Sequence, residues 1–258
     1  MPRPSLLQAA TTRMGELLSS RDREVRWLVG LALVLAASGL VHAGVWSAAG
    51  WPSLEGPVSW RKPIVFGLSS GVTTLAVAWL VSLLGPTPGR RWLTWTYLLT
   101  MASEIALIDV QCWRGVASHY NQATVSGVVI FALMGVLIVT SVTAVGLLGA
   151  RVARSREVAL DTRLAAGGGV AMLLVGSVVG AVMASVGSAH HATGGGVLKV
   201  PHAVALHAIQ VLPVLAWWLA QRGVSTGARA RLVIGAIGAH ALLFVAAVAG
   251  AVYAMVVA

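Results

Sequence analysis

Seven apolar runs divide this chain, at about 27–46, 63–84, 92–113, 125–149, 164–186, 201–220 and 232–257, each close to the ~20 residues a helix needs to cross hydrocarbon. The gaps between them are short, the longest being those around 47–62, 114–124 and 187–200, so no soluble domain interrupts the series. With 57% hydrophobic and 10% charged residues, the chain is too apolar for a water-soluble core. The reading is an all-α polytopic membrane bundle of about seven transmembrane helices. It forms one domain over 27–258, preceded by a segment at 1–26.

Cations set the expected orientation. Of the 18 Lys and Arg residues, 14 cluster before the first run, in the second and fourth connections and before the last run, and only Arg61, Lys62, Arg114 and Lys199 fall in the opposite gaps. A 14 to 4 bias puts the amino terminus and the arginine-rich connections in the cytoplasm. The net charge of +10 follows from the same loops, which excludes nucleic acid as the expected partner. Residues 1–26 carry five arginines and no small-residue cleavage site, and read as a cytoplasmic amphipathic lead. A single cysteine, Cys112, leaves no intrachain disulfide and no two-cysteine metal motif.

Chemistry then has to reside in the spans and short loops. Glu104 and Asp109 lie in the third run, where a charge is costly unless it faces a partner or a wet cavity. At 100° per residue, Glu104, Gln111, Arg114 and Ser118 share a stripe roughly 80° wide, while Asp109 points about 140° away from Glu104. Helix rise places His42 about 22 Å above Trp27, Glu104 about 20 Å above Arg91, and His207 about 9 Å below Pro201. The three reach a similar level in the outer half, and neutral imidazole with carboxylate is a donor set for transition metals or proton relays. His240 falls slightly deeper, near the midplane. His119, His190, His191 and His202 crowd the outer gaps.

Further polar residues fit around that level. His202 and His207 are five residues apart and face different partners, whereas His207 and Gln210 share a face. His202 follows Pro201 at a helix start, where free amides would favour an anion beside Lys199. The glycines 194–196 read as an outer loop, either a lid or a plain tight connection. Trp60, Arg61 and Lys62 read either as an interfacial anchor or as an anion clamp. Gly176 and Gly180 allow close helix approach, within one bundle or across a homodimer. Pro213 favours a kink in the sixth helix.

The segments GPVSWRKPIVFG (56–67), WRGVASHYN (113–121) and PHAVALHAIQVLP (201–213) together resemble a group of uncharacterised bacterial multi-pass membrane proteins. The resemblance implies one recurring architecture in a bacterial cytoplasmic membrane, with all three segments at the outer side. It brings no activity. A retinal protein is excluded because the only lysines, Lys62 and Lys199, lie outside the last run, and a seven-span zinc hydrolase would need an H-x-x-x-H there that this chain lacks. A haem b site would need histidines on different helices and cations for the propionates.

These residues lead to the expectation of a membrane redox protein with an outward-facing haem or transition-metal site and a lipophilic substrate. His42, His207 and Glu104 would be ligands, with Glu104, Asp109 and His119 handling protons. Arg61, Lys62, Arg114, His202 and Gln210 would hold the cofactor or an anionic group. The alternatives are a proton-coupled transporter or ligand-binding protein, and a metal-free enzyme acting on a lipid or isoprenoid.

Overall fold

The computed structural model describes residues 15–55, 58–185 and 196–257. His190 and His191, and Gly194 and Gly195 of the expected outer loop, lie outside the described residues. Seven long helices account for the spans: α1 Arg23–Ala48, α2 Arg61–Ser82, α3 Pro88–Trp113, α4 Val125–Arg154, α5 Leu160–Ser185, α6 Lys199–Gln221 and α7 Thr226–Val257. All seven are long and apolar enough to cross a membrane. Their outward faces carry Val34 and Leu40 on α1, Val136 and Val139 on α4, and Leu242 and Val245 on α7, a surface suited to acyl chains and costly in water.

Local sequence explains three of the helix starts. The Asp22 carboxylate accepts hydrogen bonds from the Glu24 and Val25 amides at the start of α1, Thr87 caps α3 ahead of Pro88, and Thr124 caps α4 through the Gly127 amide. Two starts lack this chemistry. Trp60 before α2 and Leu198 before α6 give no side-chain cap, and neither first turn holds an acidic residue.

Glycines set the closest helix pairs. A Cβ added to Gly67 on α2 would fall 2.7 Å from the Gly39 backbone nitrogen on α1, and one at Gly71 would meet the Ala32 carbonyl at 2.9 Å. The α1 and α2 backbones therefore touch directly, in the small-residue packing that membranes use where water gives no driving force. On the other side of the molecule, Gly176 of α5 seats against Ala205 and Leu206 of α6, and Gly180 against the His202 ring. That face is covered by the chain's own α6, so of the two alternatives for Gly176 and Gly180 the pair serves packing within one bundle. The helix α6 runs through Pro213 to Gln221 as one element.

Short connections make successive helices antiparallel, so the bundle has two chemically different ends. At one, the buried Arg90 guanidinium donates to Asp22 Oδ2 at 2.6 Å, to Glu24 and to the Leu84 carbonyl at 2.8 Å, tying α3 to the lead of α1 and the exit of α2. Burial alone would raise the Asp22 carboxyl, but Arg90 and the α1 amides outweigh it and hold Asp22 below its ordinary value. Arg229 at the start of α7 donates to the buried Asp161 of α5 at 2.7 Å, at the same end. The opposite end gathers His42, Trp60, Trp113 and Lys62.

Candidate functional site

A polar network at the histidine end joins α1 to α3. His42 is buried, and its Nδ1 lies 2.8 Å from the Ser38 backbone oxygen one turn earlier. A carbonyl only accepts, so Nδ1 carries the proton. On the other side of the ring, Trp113 Nε1 donates to His42 Nε2 at 3.0 Å, and an indole N–H only donates. The imidazole is therefore neutral, with both nitrogens engaged and its tautomer fixed by geometry. Trp60 and Trp113 pack edge to face at 5.2 Å, and each ring centroid lies 6.0 Å from that of His42.

Asp109 closes the network. Ser38 Oγ donates to Asp109 Oδ2 at 2.7 Å, and Asp109 Oδ1 stands 4.0 Å from His42 Nε2, buried and without a hydrogen-bond partner among the described residues. Ser, His and Asp are thus together, but not as a hydrolytic triad. The seryl proton goes to the carboxylate, and neither imidazole nitrogen is free to take it.

This arrangement corrects the expected ligand set. His42 has no lone pair left for a metal, and its carboxylate partner is Asp109 on the face of α3 turned away from Glu104. Glu104 is buried with Oε2 unpartnered, and His207 is exposed on α6. Among the described residues no three His, Cys, Asp or Glu side chains converge as a metal site. The donor set does not fit a haem or metal bridging His42, Glu104 and His207.

The α3 stripe has a different use. Arg114 donates to Gln111 Oε1 at 2.8 Å, and Gln111 Nε2 donates to the Ala117 carbonyl at 3.4 Å, so the stripe folds the α3–α4 connection back on the helix. Arg114 is thereby a brace for the loop. In that connection, Ser118 Oγ pairs with His119 Nδ1 at 2.9 Å, and the His119 ring packs among Phe66, Tyr120 and Phe131. Burial, with a smaller push from the Lys62 cation, holds His119 down at about 3. Its ring is held by packing and by Ser118, and among the described residues no carboxylate pairs with it to pass a proton on. Tyr120 takes a left-handed backbone, φ 60°, unusual for an aromatic residue, with its hydroxyl donating to the Met183 carbonyl at 3.3 Å and burial raising the phenol above its ordinary value.

Beside this loop, α2 and α6 begin next to each other. The Arg61 and Lys199 charges act on Lys62, Arg61 acts on Lys199, and Glu55 is the acid whose charge acts on Lys199. The other seven acidic residues are elsewhere: Glu16, Asp22, Glu24, Glu157 and Asp161 belong to the arginine-rich end, and Glu104 and Asp109 lie along α3. None of the three cations forms an ion pair among the described residues. Two uncapped helix starts add their positive dipole ends to the same corner. Lys62 also lines a small enclosed space with Ser59 and Ser118, where Ser59 Oγ is buried and unpartnered.

From Lys199 a shallow, open groove of about 390 Å³ lies along α6 and α7, walled by Val200, Val204 and Leu243 and carrying His207 and His240. His240 Nε2 donates to the Val204 carbonyl at 2.7 Å. His207 Nδ1 and Gln210 Oε1 are 2.7 Å apart, as their three-residue spacing anticipates, and Gln210 Nε2 donates to Thr73 Oγ1 of α2 at 3.0 Å. Gln210 is therefore a strut between α6 and α2. His202 turns the other way, donating from Nδ1 to the Gly176 carbonyl at 2.7 Å, so it is a packing contact of α5 and not part of an anion site.

The chain matches no protein-family model, and comparison with curated proteins and with solved structures gives no significant match.

Sequence reasoning missed Ser38, Trp60 and Trp113 as partners of His42. The Ser38 signal was present as an i, i+4 pair with His42 on one helix. From the sequence Trp60 reads as an interfacial anchor or part of an anion clamp, and Trp113 only as the first residue of the segment 113–121.

Proposed function

We propose that this protein binds an anionic amphiphile in the membrane, holding its acidic head between Arg61, Lys62 and Lys199 and its apolar tail in the groove along α6 and α7. The observation that carries this reading is the concentration of three cations and two uncapped helix starts in one corner without an ion-paired carboxylate, opening onto an apolar groove that shares Lys199. Arg61 and Lys62 are half-buried and Lys199 is exposed beside them; clustered like charges repel, and a ligand carboxylate or phosphate relieves that repulsion. The groove's volume falls in the range of small-molecule sites, and its opening toward acyl chains suits entry from the bilayer.

We infer from the arginine distribution that this corner faces the non-cytoplasmic side of a bacterial cytoplasmic membrane, and the ligand would then arrive from the outer leaflet. The network of His42, Ser38 and Asp109 then supports the wall of the site, because it fixes Trp60 immediately before Arg61 and Trp113 immediately before Arg114.

Calorimetric titration in neutral detergent tests the reading with stearate against methyl stearate, which keeps the tail and removes the charge. Stearate should bind at least ten-fold tighter, and the combined Arg61→Gln and Lys199→Gln exchange should abolish the difference. Equal binding of acid and ester, or indifference to the double exchange, would refute it.

A further inference from the structure

The groove histidines carry information about the tail of the ligand, an inference that rests on the amphiphile reading above. His240 Nε2 lies 2.7 Å from the Val204 carbonyl oxygen, which cannot donate, so the ring proton is on Nε2. Nδ1 is then a lone pair without a partner among the described residues, on a half-buried residue that lines the groove. His207 is set the same way by its neighbours. Gln210 Nε2 gives its hydrogen to Thr73, which turns Oε1 toward His207 Nδ1 and leaves Nε2 as the free acceptor.

Both imidazoles thus offer acceptors within walls that are otherwise aliphatic. An apolar tail leaves those lone pairs unsatisfied, and a carbonyl or ether on the tail would add another acceptor against them. A hydroxyl supplies the missing donor. Its position along the chain follows from helix rise: Val204 and His207 are five and eight residues beyond Lys199, roughly 8 and 12 Å deeper.

We infer that the ligand is an acidic lipid with a hydroxyl group near the middle of its chain, donated to His240 Nδ1 or His207 Nε2 while Lys199 holds the acid. The groove would therefore discriminate a mid-chain alcohol from the corresponding alkane and ketone, because each of those lacks the donor.

Three probes of equal length test this in the full-length protein in neutral detergent: stearate, 10-hydroxystearate and 10-oxostearate, each titrated calorimetrically. The hydroxy acid should bind roughly five-fold tighter than stearate, as one well-formed hydrogen bond in an apolar groove provides, and the oxo acid no tighter than stearate. His240→Phe combined with His207→Phe should bring 10-hydroxystearate down to the affinity that stearate has for the unaltered protein. The probe series needs no substitution, so it decides the matter even where the variants fold poorly. Equal affinities for hydroxy acid and stearate, or a preference for the oxo acid, would overturn the inference while leaving acid binding intact. Failure of all three acids to bind would overturn the amphiphile reading itself, and this inference with it.

Discussion

Lowering the pH should unfold the connection between α3 and α4 through one residue, His119. Its imidazole is buried among Phe66, Tyr120 and Phe131 with the Lys62 cation nearby, and these hold it down at about 3 against an ordinary 6.5. The folded value is depressed, so the unfolded chain binds a proton first as pH falls. The stabilisation is complete above 6.5 and is lost progressively from there toward 3. At about 1.4 kcal/mol per unit, the loss between pH 8 and pH 5 is about 2 kcal/mol, which for a chain of this size corresponds to roughly 4–8 °C in Tm. Stopping at pH 5 keeps clear of Asp22, whose contribution is lost only below its ordinary carboxylate range. The measurement is thermal unfolding in detergent at intervals from pH 8 to pH 5, for the unaltered protein and for His119→Phe, which keeps an aromatic ring among its three neighbours and cannot titrate. The difference in Tm between the two should shrink, or reverse in favour of the variant, as pH falls. If that difference is the same at pH 8 and pH 5, burial does not suppress protonation of His119 and the packing argument for this loop is wrong.

Gly67→Ala should cost about 1–3 kcal/mol, because its methyl group meets the α1 backbone at Gly39 with no flexible side chain to yield, whereas Gly30→Ala, with open space around it, should be neutral in the same unfolding assay. Arg90→Met should cost about 3 kcal/mol, since it strands Asp22 and Glu24 without their shared cation, and protease accessibility of the segment before α1 should rise with it. Glu104→Gln should leave Tm unchanged or raise it, because no ion pair is lost and a buried ionisable group is replaced by a neutral one of the same shape; a large drop would show that Glu104 locks helices through its charge.

How far the site could be read in advance is clearest from particular residues. Depth along each helix follows from 1.5 Å per residue without tertiary information, which is how the sequence assigns His42, Glu104 and His207 a similar level. The angular separation of Asp109 from Glu104 also held, and so did the shared face of His207 with Gln210. What depth and angle within one helix leave open is which neighbour each face meets. His42 and Glu104 share a height, yet α1 presents His42 to the Asp109 side of α3. Likewise His202, which begins a helix beside Lys199 in the chain, turns to α5 because Gly176 and Gly180 leave room for its ring there.

The linear order of residues determined the number of helices, their approximate ends and their apolar exteriors, because hydrocarbon thickness and the satisfaction of backbone hydrogen bonds act on each span separately. It also determined that 14 of the 18 cations fall in the connections opposite those that hold most of the histidines. Only the packed bundle decided which groups stand together. It gave His42 a tautomer through Ser38 and Trp113, left Arg61, Lys62 and Lys199 in one corner without an ion pair among the described residues, and opened a groove beside Lys199. Those outcomes depend on the rotation of each helix about its own axis, which is set by where glycines let two backbones touch, a property of pairs of helices and not of any one span.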